Sequence, residues 1–272
     1  MKQRPDKPNI FAYRSPSVYL ADLILWYKSK GVSLRTLAEK LNISPALVSL
    51  MSKGKRSITE ENVDIFATIF EWSSAEVSFL KNLLLLSSRH EDERQDGMKG
   101  LVRFKTYQEK SSDEVLTYKY LEHWWNLAIR ELSELEDFKE EEVWIQQRLL
   151  FSVSLADIRK SLNFLNKHKL LAKYGSFRRV DCKGEVYKLS LSSFHKQILE
   201  KAVESIYLLP SAERHILGHT LLLRKEQMED LKIILDETLE KITRLSSEGK
   251  GKKEVFHVAL AGFPLTLDKE EK

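Results

Sequence analysis

From Ser33 to Arg56 the chain reads SLRTLAEKLNISPALVSLMSKGKR, and no other stretch restricts the fold so tightly. Leu34, Leu37, Ala38 and Leu41 recur at i, i+3, i+4 and i+7, one helical face, behind Ser33 as N-cap. The pattern then breaks at Asn42, a residue type that enters the left-handed region a tight turn requires. Ser44 supplies a second cap, and Pro45 follows where its missing N–H costs nothing. Small Ala38 lets the second helix come close, Ile43 fills the angle between the two, and Val48 and Met51 return to the same interior. Gly54 ends the second helix, and Lys55-Arg56 come directly after it.

Charge concentrates at the same place. Lys28, Lys30, Arg35, Lys40, Lys53, Lys55 and Arg56 face only Glu39, a net +6 over 29 residues in a chain whose total is +4. On these residues the segment resembles the phage-repressor type of helix-turn-helix, the class of the lambda repressor and Cro, over about residues 15–87. The resemblance implies that the second helix enters the major groove of duplex DNA while the first crosses the backbone. The DNA-contacting set is then Arg35, Ser44, Pro45, Ala46, Ser49, Leu50, Lys53, Lys55 and Arg56. There is a departure from the pattern. The outward positions Pro45, Ala46, Ser49 and Leu50, with Leu47 partly so, include no Arg, Asn or Gln, the side chains that read bases with two hydrogen bonds. Apolar contact with thymine methyls remains. The chain therefore points to weak specificity, to indirect readout, or to a second reading element.

Around this motif the periodicity predicts a five-helix domain over 11–87. Tyr19, Leu20, Leu23, Ile24 and Tyr27 form one face behind Ser15-Pro16; Thr59 caps a fourth helix and Ser74 a fifth. The run from Arg89 to Gly97 is charged and ends in glycine, so 88–115 is read as a linker or a solvated helix end. Three more helices follow, near 116–132, 141–150 and 155–168. Short strands are expected at Leu170-Leu171, Gly175–Val180 and Val186–Leu189, which makes 116–190 winged-helix-like. Beyond it, 191–267 reads as an α/β dimerisation or sensing region. It comprises a helix near Ser193–Leu208, a strand at Ile216–Leu223, the long amphipathic helix Lys225–Leu245 with Met228, Leu231, Leu235, Leu239 and Ile242 on one face, and a strand at Val255–Leu267. The expected fold class is mainly α with a smaller α/β part ending in strand–helix–strand.

The second reading element would be the helix Leu155–His168, exposing Arg159, Lys160, Asn163, Asn166 and Lys167, together with Lys173, Arg178, Arg179 and Lys183 on the wing. From Lys167 to Lys188 there are seven basic and two acidic residues. An alternative is that this part only packs or dimerises. The order of parts, with Trp125–Leu132, Trp144-Ile145, Ser193–Leu199, Pro210–Ile216 and Phe263–Thr266, is similar to a family of bacterial transcriptional regulators with paralogues in Fibrobacter and Bdellovibrio. In that family a helix-turn-helix precedes a domain of unknown function. The resemblance runs over about 11–267 and implies a bacterial regulator whose ligands and targets are undefined. Two copies on paired half-sites are expected, with the dimer interface supplied by 116–267, which is also where an unknown effector would bind.

Other chemistries find little support. A single cysteine, Cys182, excludes an internal disulfide framework and a cysteine-rich zinc site, although Arg179 and Lys183 beside it suit a redox sensor. His215 and His219 are four apart, useful for a metal only on a helix, and the run there looks strand-like. His195 after Phe194 reads as a packing residue. Trp124-Trp125 suggests a ligand box, but neighbours on a helix point about 100° apart, so one of them belongs to the core. No phosphate-binding loop, dinucleotide glycine pattern, nucleophile elbow or HExxH is present. The reading is a non-enzyme without cofactor or metal, cytoplasmic, with no apolar run near the roughly 20 residues that span a bilayer. Its partner is double-stranded DNA. The competing reading is a protein-interaction module on a helix-turn-helix scaffold that has lost DNA readout.

Overall fold

The computed structural model describes residues 6–175, 185–245 and 253–266, and among these the regular structure is entirely helical. A 3-10 helix at Ile10–Ala12 is followed by α1 (Pro16–Ser29), α2 (Leu34–Lys40), α3 (Pro45–Ser52), α4 (Glu60–Phe70), α5 (Ser74–Leu86), α6 (Glu91–Leu101), α7 (Lys105–Lys110) and α8 (Ser112–Leu121). Then come α9 (Trp124–Leu132), α10 (Glu142–Arg148), α11 (Leu155–Lys167), α12 (Glu185–Leu208) and α13 (Gln227–Leu245). The chain divides into two compact units, Met1–Glu122 with Arg179–Ser193, and His123–Arg178 with Phe194–Lys272.

The first unit is built on a buried apolar cluster that includes Leu20, Leu23, Leu37, Val48, Phe66 and Phe79. Thr59 and Asn62 form a capping box on α4, and Ser73 with Glu76 forms one on α5, one residue ahead of the expected Ser74. The stretch 88–115, read from sequence as a linker, is helical over most of its length, and Met98, Leu101, Tyr107 and Val115 join the same core. Gly97, which looked like the end of a charged run, lies inside α6. A Cβ there would stand 2.5 Å from the backbone nitrogen of Leu86 and 2.7 Å from the carbonyl oxygen of Asn82. The missing side chain is what lets the α6 backbone seat on α5.

The second unit packs α11 against α9 and α10, burying Ile129, Leu132, Ile145, Ile158, Leu162 and Leu165. Inside it the Ser161 hydroxyl donates to the side-chain oxygen of Asn126, and the Gln197 side-chain oxygen accepts from the Trp124 backbone N–H at 3.0 Å. Trp125 stacks on His123 with centroids 4.3 Å apart. Trp124 meets Phe151 edge-on, and the Lys201 ammonium lies over both rings. The tryptophan pair is thus occupied by the protein's own side chains.

The α/β part of the expected fold is corrected by this structure, since no strand occurs among the described residues. Val186–Leu189 is helical, in α12: Val186 and Leu189 are three apart and both enter the core of the first unit, a helical spacing that the β-favouring side chains concealed. Lys169, at φ 56°, turns the chain out of α11; Leu170 and Leu171 are buried in the turn that follows, ahead of a 3-10 helix at Ala172–Tyr174. Gly175 is described but not extended into a strand, and residues 176–184, with Arg178, Arg179 and Lys183 of the expected wing, lie outside the described residues. Ile216–Leu223 and Val255–Thr266 form neither strand nor helix. Their composition suits a strand, but a strand exists only where a neighbour takes its backbone hydrogen bonds, and among the described residues none does so. The C-terminal strand–helix–strand is in fact one helix, α13, between two irregular segments.

Candidate nucleic-acid interface

The α2–α3 segment assembles from short-range contacts. The Ser33 hydroxyl accepts from the Thr36 N–H at 3.1 Å and starts α2. Ala38 is fully buried, and its carbonyl accepts from the Ile43 N–H at 3.1 Å, which closes the turn while Asn42 takes φ 53°. The Ser44 hydroxyl then accepts from the Leu47 N–H at 3.1 Å, with Pro45 in the first turn of α3. Leu37, Ala38, Leu41, Val48 and Met51 are buried together. Gly54, at φ 67°, reverses the chain, so that the N–H groups of Lys55 and Arg56 reach back to the Leu50 carbonyl at 2.9 and 3.3 Å. A Cβ on Gly54 would also stand 3.3 Å from the Ser17 hydroxyl on α1.

What this leaves outward matches one helix start, one helix face and one turn. Ser44, Pro45, Ala46 and Leu50 are exposed, Leu50 at 41%, and Ser49 is half-buried. Lys53, Lys55 and Arg56 are exposed and, among the described residues, carry no ion pair. Arg35 is exposed too, but its guanidinium is 3.3 Å from Glu39 one turn along α2. The arrangement offers a small apolar ridge bordered by the exposed cations Lys53, Lys55 and Arg56, a surface suited to a phosphate backbone beside an apolar groove wall.

The second candidate set is arranged differently. Arg159 pairs with Glu142 at 2.8 Å, Lys160 with Asp157 at 2.9 Å, and Lys173 with Glu140 at 2.5 Å. The hydrogen bond that Arg159 donates to Glu142 raises the Arg159 pKa and lowers that of Glu142, and the one that Lys173 donates to Glu140 raises the Lys173 pKa. Asn166 donates to Glu140 and accepts from the Tyr174 hydroxyl, leaving it little capacity for a base. Asn163 and Lys167 are exposed. Arg178, Arg179, Cys182 and Lys183 lie outside the described residues. The sequence analysis missed the acidic partners. The run Glu140-Glu141-Glu142 is visible, but its pairing with residues 17 to 33 positions away is a tertiary fact.

His215 and His219 sit on an irregular segment, where a spacing of four does not put them on one helical face. Among the described residues no group of three or more His, Cys, Asp or Glu side chains is placed to hold a metal, and no helix is long and apolar enough to cross a membrane.

Residues 105–265 match a domain of unknown function, DUF4423, and the chain belongs to that family. The match starts with α7 and covers more than half of the chain, leaving α1 to α6, and with them the α2–α3 surface, on its N-terminal side. No curated protein and no solved structure matches the chain.

Proposed function

We propose that this protein is a sequence-specific, double-stranded-DNA-binding transcriptional regulator that works as a homodimer, with α3 as the helix set into the major groove. One observation carries the reading: the cations next to α3, Lys53, Lys55 and Arg56, are exposed and, among the described residues, unpaired, while the capped start of α3 and Leu50 share the same outward surface. In this reading the backbone is gripped by charge, and sequence is sensed through apolar contact and duplex shape. The bacterial-regulator family, the cytoplasmic location and an effector bound by the C-terminal half belong to the same proposal. Lack of bidentate readers on α3 supports the second reading, a protein-interaction module on the same scaffold. Mapping the protein's genomic sites by chromatin immunoprecipitation, followed by salt titration of the best duplex, separates the two. Discrete sites with a steep salt slope support the regulator; no enrichment and no salt-dependent duplex binding reject it in favour of the module.

A further inference from the structure

Between α5 and α6, within the first unit, lies a groove of about 440 Å³. Its size is that of small-molecule sites, about 300–1,000 Å³. Asn82 of α5 lines it, with Asp96, Lys99 and Gly100 of α6 and Arg103 in the turn that follows. Asp96 and Lys99 have the order and the spacing of three that make an ion pair at Asp157 and Lys160 and again at Glu229 and Lys232, both at 2.9 Å. Here the pair is not made. Among the described residues Asp96, Lys99 and Arg103 carry no ion pair at all, although all three border one groove.

Asn82 adds an acceptor. Its Nδ2 donates to the Ser78 carbonyl at 2.8 Å, which fixes the amide and leaves Oδ1 without a hydrogen bond among the described residues. The amide rests in the space that a side chain on residue 100 would take, since a Cβ on Gly100 would fall on it. The walls are set as well. Gly97 seats α6 directly on the α5 backbone, and the Phe104 ring, at one end of the groove, is held edge-on by Phe79 at 5.1 Å. A ligand entering here orders little of the protein, which favours binding.

The lining states what that ligand must carry. Lys99 and Arg103 only donate hydrogen bonds, while the Asp96 carboxylate and the Asn82 oxygen only accept them. A simple anion would meet Asp96 and leave both acceptors unmatched. A simple cation would meet two positive side chains. A molecule with one group of each sign answers all four.

We propose that this groove binds a small zwitterion of the amino-acid class, its carboxylate between Lys99 and Arg103 and its ammonium on Asp96 and the Asn82 oxygen. The site belongs to the first unit, is separate from an effector of the C-terminal half, and does not rest on DNA binding.

Isothermal titration of the full-length protein without DNA tests it. The probes are the common amino acids, one at a time, with acetate, inorganic phosphate and ethylamine as ligands of a single sign. At least one amino acid should bind about tenfold or more tightly than any single-sign probe, and Asp96→Asn and Arg103→Ala should each weaken it about tenfold through loss of a charge-assisted hydrogen bond. Gly100→Ala, whose methyl displaces the Asn82 amide, should weaken it too. Lys105→Ala, on a cation of α7 that already pairs with Glu109, should leave it unchanged. Failure of every amino acid to bind overturns the proposal. So does binding no tighter than that of acetate or phosphate, which marks a plain anion patch, and so does binding that survives both charge variants. Should one charge variant misfold by circular dichroism, Lys99→Ala takes its place. Duplex binding enters none of these readings, so the regulator reading can fail while this one stands, and the reverse.

Discussion

The helix pairs α2–α3 and α10–α11 are built on one plan and differ in what their cations do. Each second helix is opened by a serine whose hydroxyl accepts from the N–H three residues on, Ser44 for α3 and Ser154 for α11, both at 3.1 Å. Each buries one apolar side and turns a polar side outward. Beyond α3 the basic side chains have no carboxylate partner among the described residues; on α11 and in the turn after it, Arg159, Lys160 and Lys173 are each matched to a carboxylate. A cation already paired has less to gain from a phosphate, because the pair must be broken first. Counting basic residues puts the two regions level, and only their partners tell them apart.

The strongest way to break the comparison is Leu50→Glu. It sets a carboxylate on the outward surface of α3 without disturbing the core, so specific affinity should fall to the nonspecific level, about a thousandfold, with the melting temperature unchanged. Fluorescence anisotropy on specific and scrambled duplexes measures this, and a folded variant with normal affinity would refute the docking geometry. Replacing Lys53, Lys55 and Arg56 by alanine should weaken binding to all duplexes alike and reduce the slope of log K against log salt by roughly 3. An unchanged slope moves the phosphate contact elsewhere.

Smaller effects sharpen the contrast. Ser44→Ala and Ser154→Ala each remove a cap and should each cost about 1 kcal/mol of stability in denaturant unfolding, yet only Ser44→Ala should also weaken duplex binding. Equal losses of binding would mean that both pairs touch DNA. The smallest change is expected from Glu140→Ala with Glu142→Ala, which frees Lys173 and Arg159. Exposed pairs of this kind contribute about 0–1 kcal/mol, and the salt slope should stay within error of the wild type. A steeper slope would show that α11 lies close enough to DNA for freed cations to reach it.

Local chemistry in the α2–α3 segment was legible because each of its signals acts within a few residues. Ser33 and Ser44 accept from N–H groups three residues away, Asn42 is left-handed, and Gly54 closes the turn. None of that depends on where the rest of the chain goes. The helical periodicities of α1, α4, α5, α11 and α13 were legible for the same reason. The C-terminal strands were misread because composition reports what a segment could pair with, not whether a partner exists. Val186–Leu189 was misread because β-branched and aromatic residues outweighed a three-residue spacing that only burial reveals. The site residues Arg159 and Lys173 were correctly located as basic, but their neutralisation by Glu142 and Glu140 is invisible without tertiary structure.

The close seat of α6 on α5 has a mechanical consequence. Sliding α6 by one residue would bring Asp96 or Met98 to the place where even a methyl group would overlap the Leu86 nitrogen and the Asn82 carbonyl. The pair is therefore keyed like a shaft in a slot, free neither to slip along its length nor to roll. Shear is the usual way in which packed helices yield to a load, and here that route is blocked. A push on one end of the pair must emerge at the other end as displacement, so α5 and α6 form a strut in the first unit and any hinge must lie outside them.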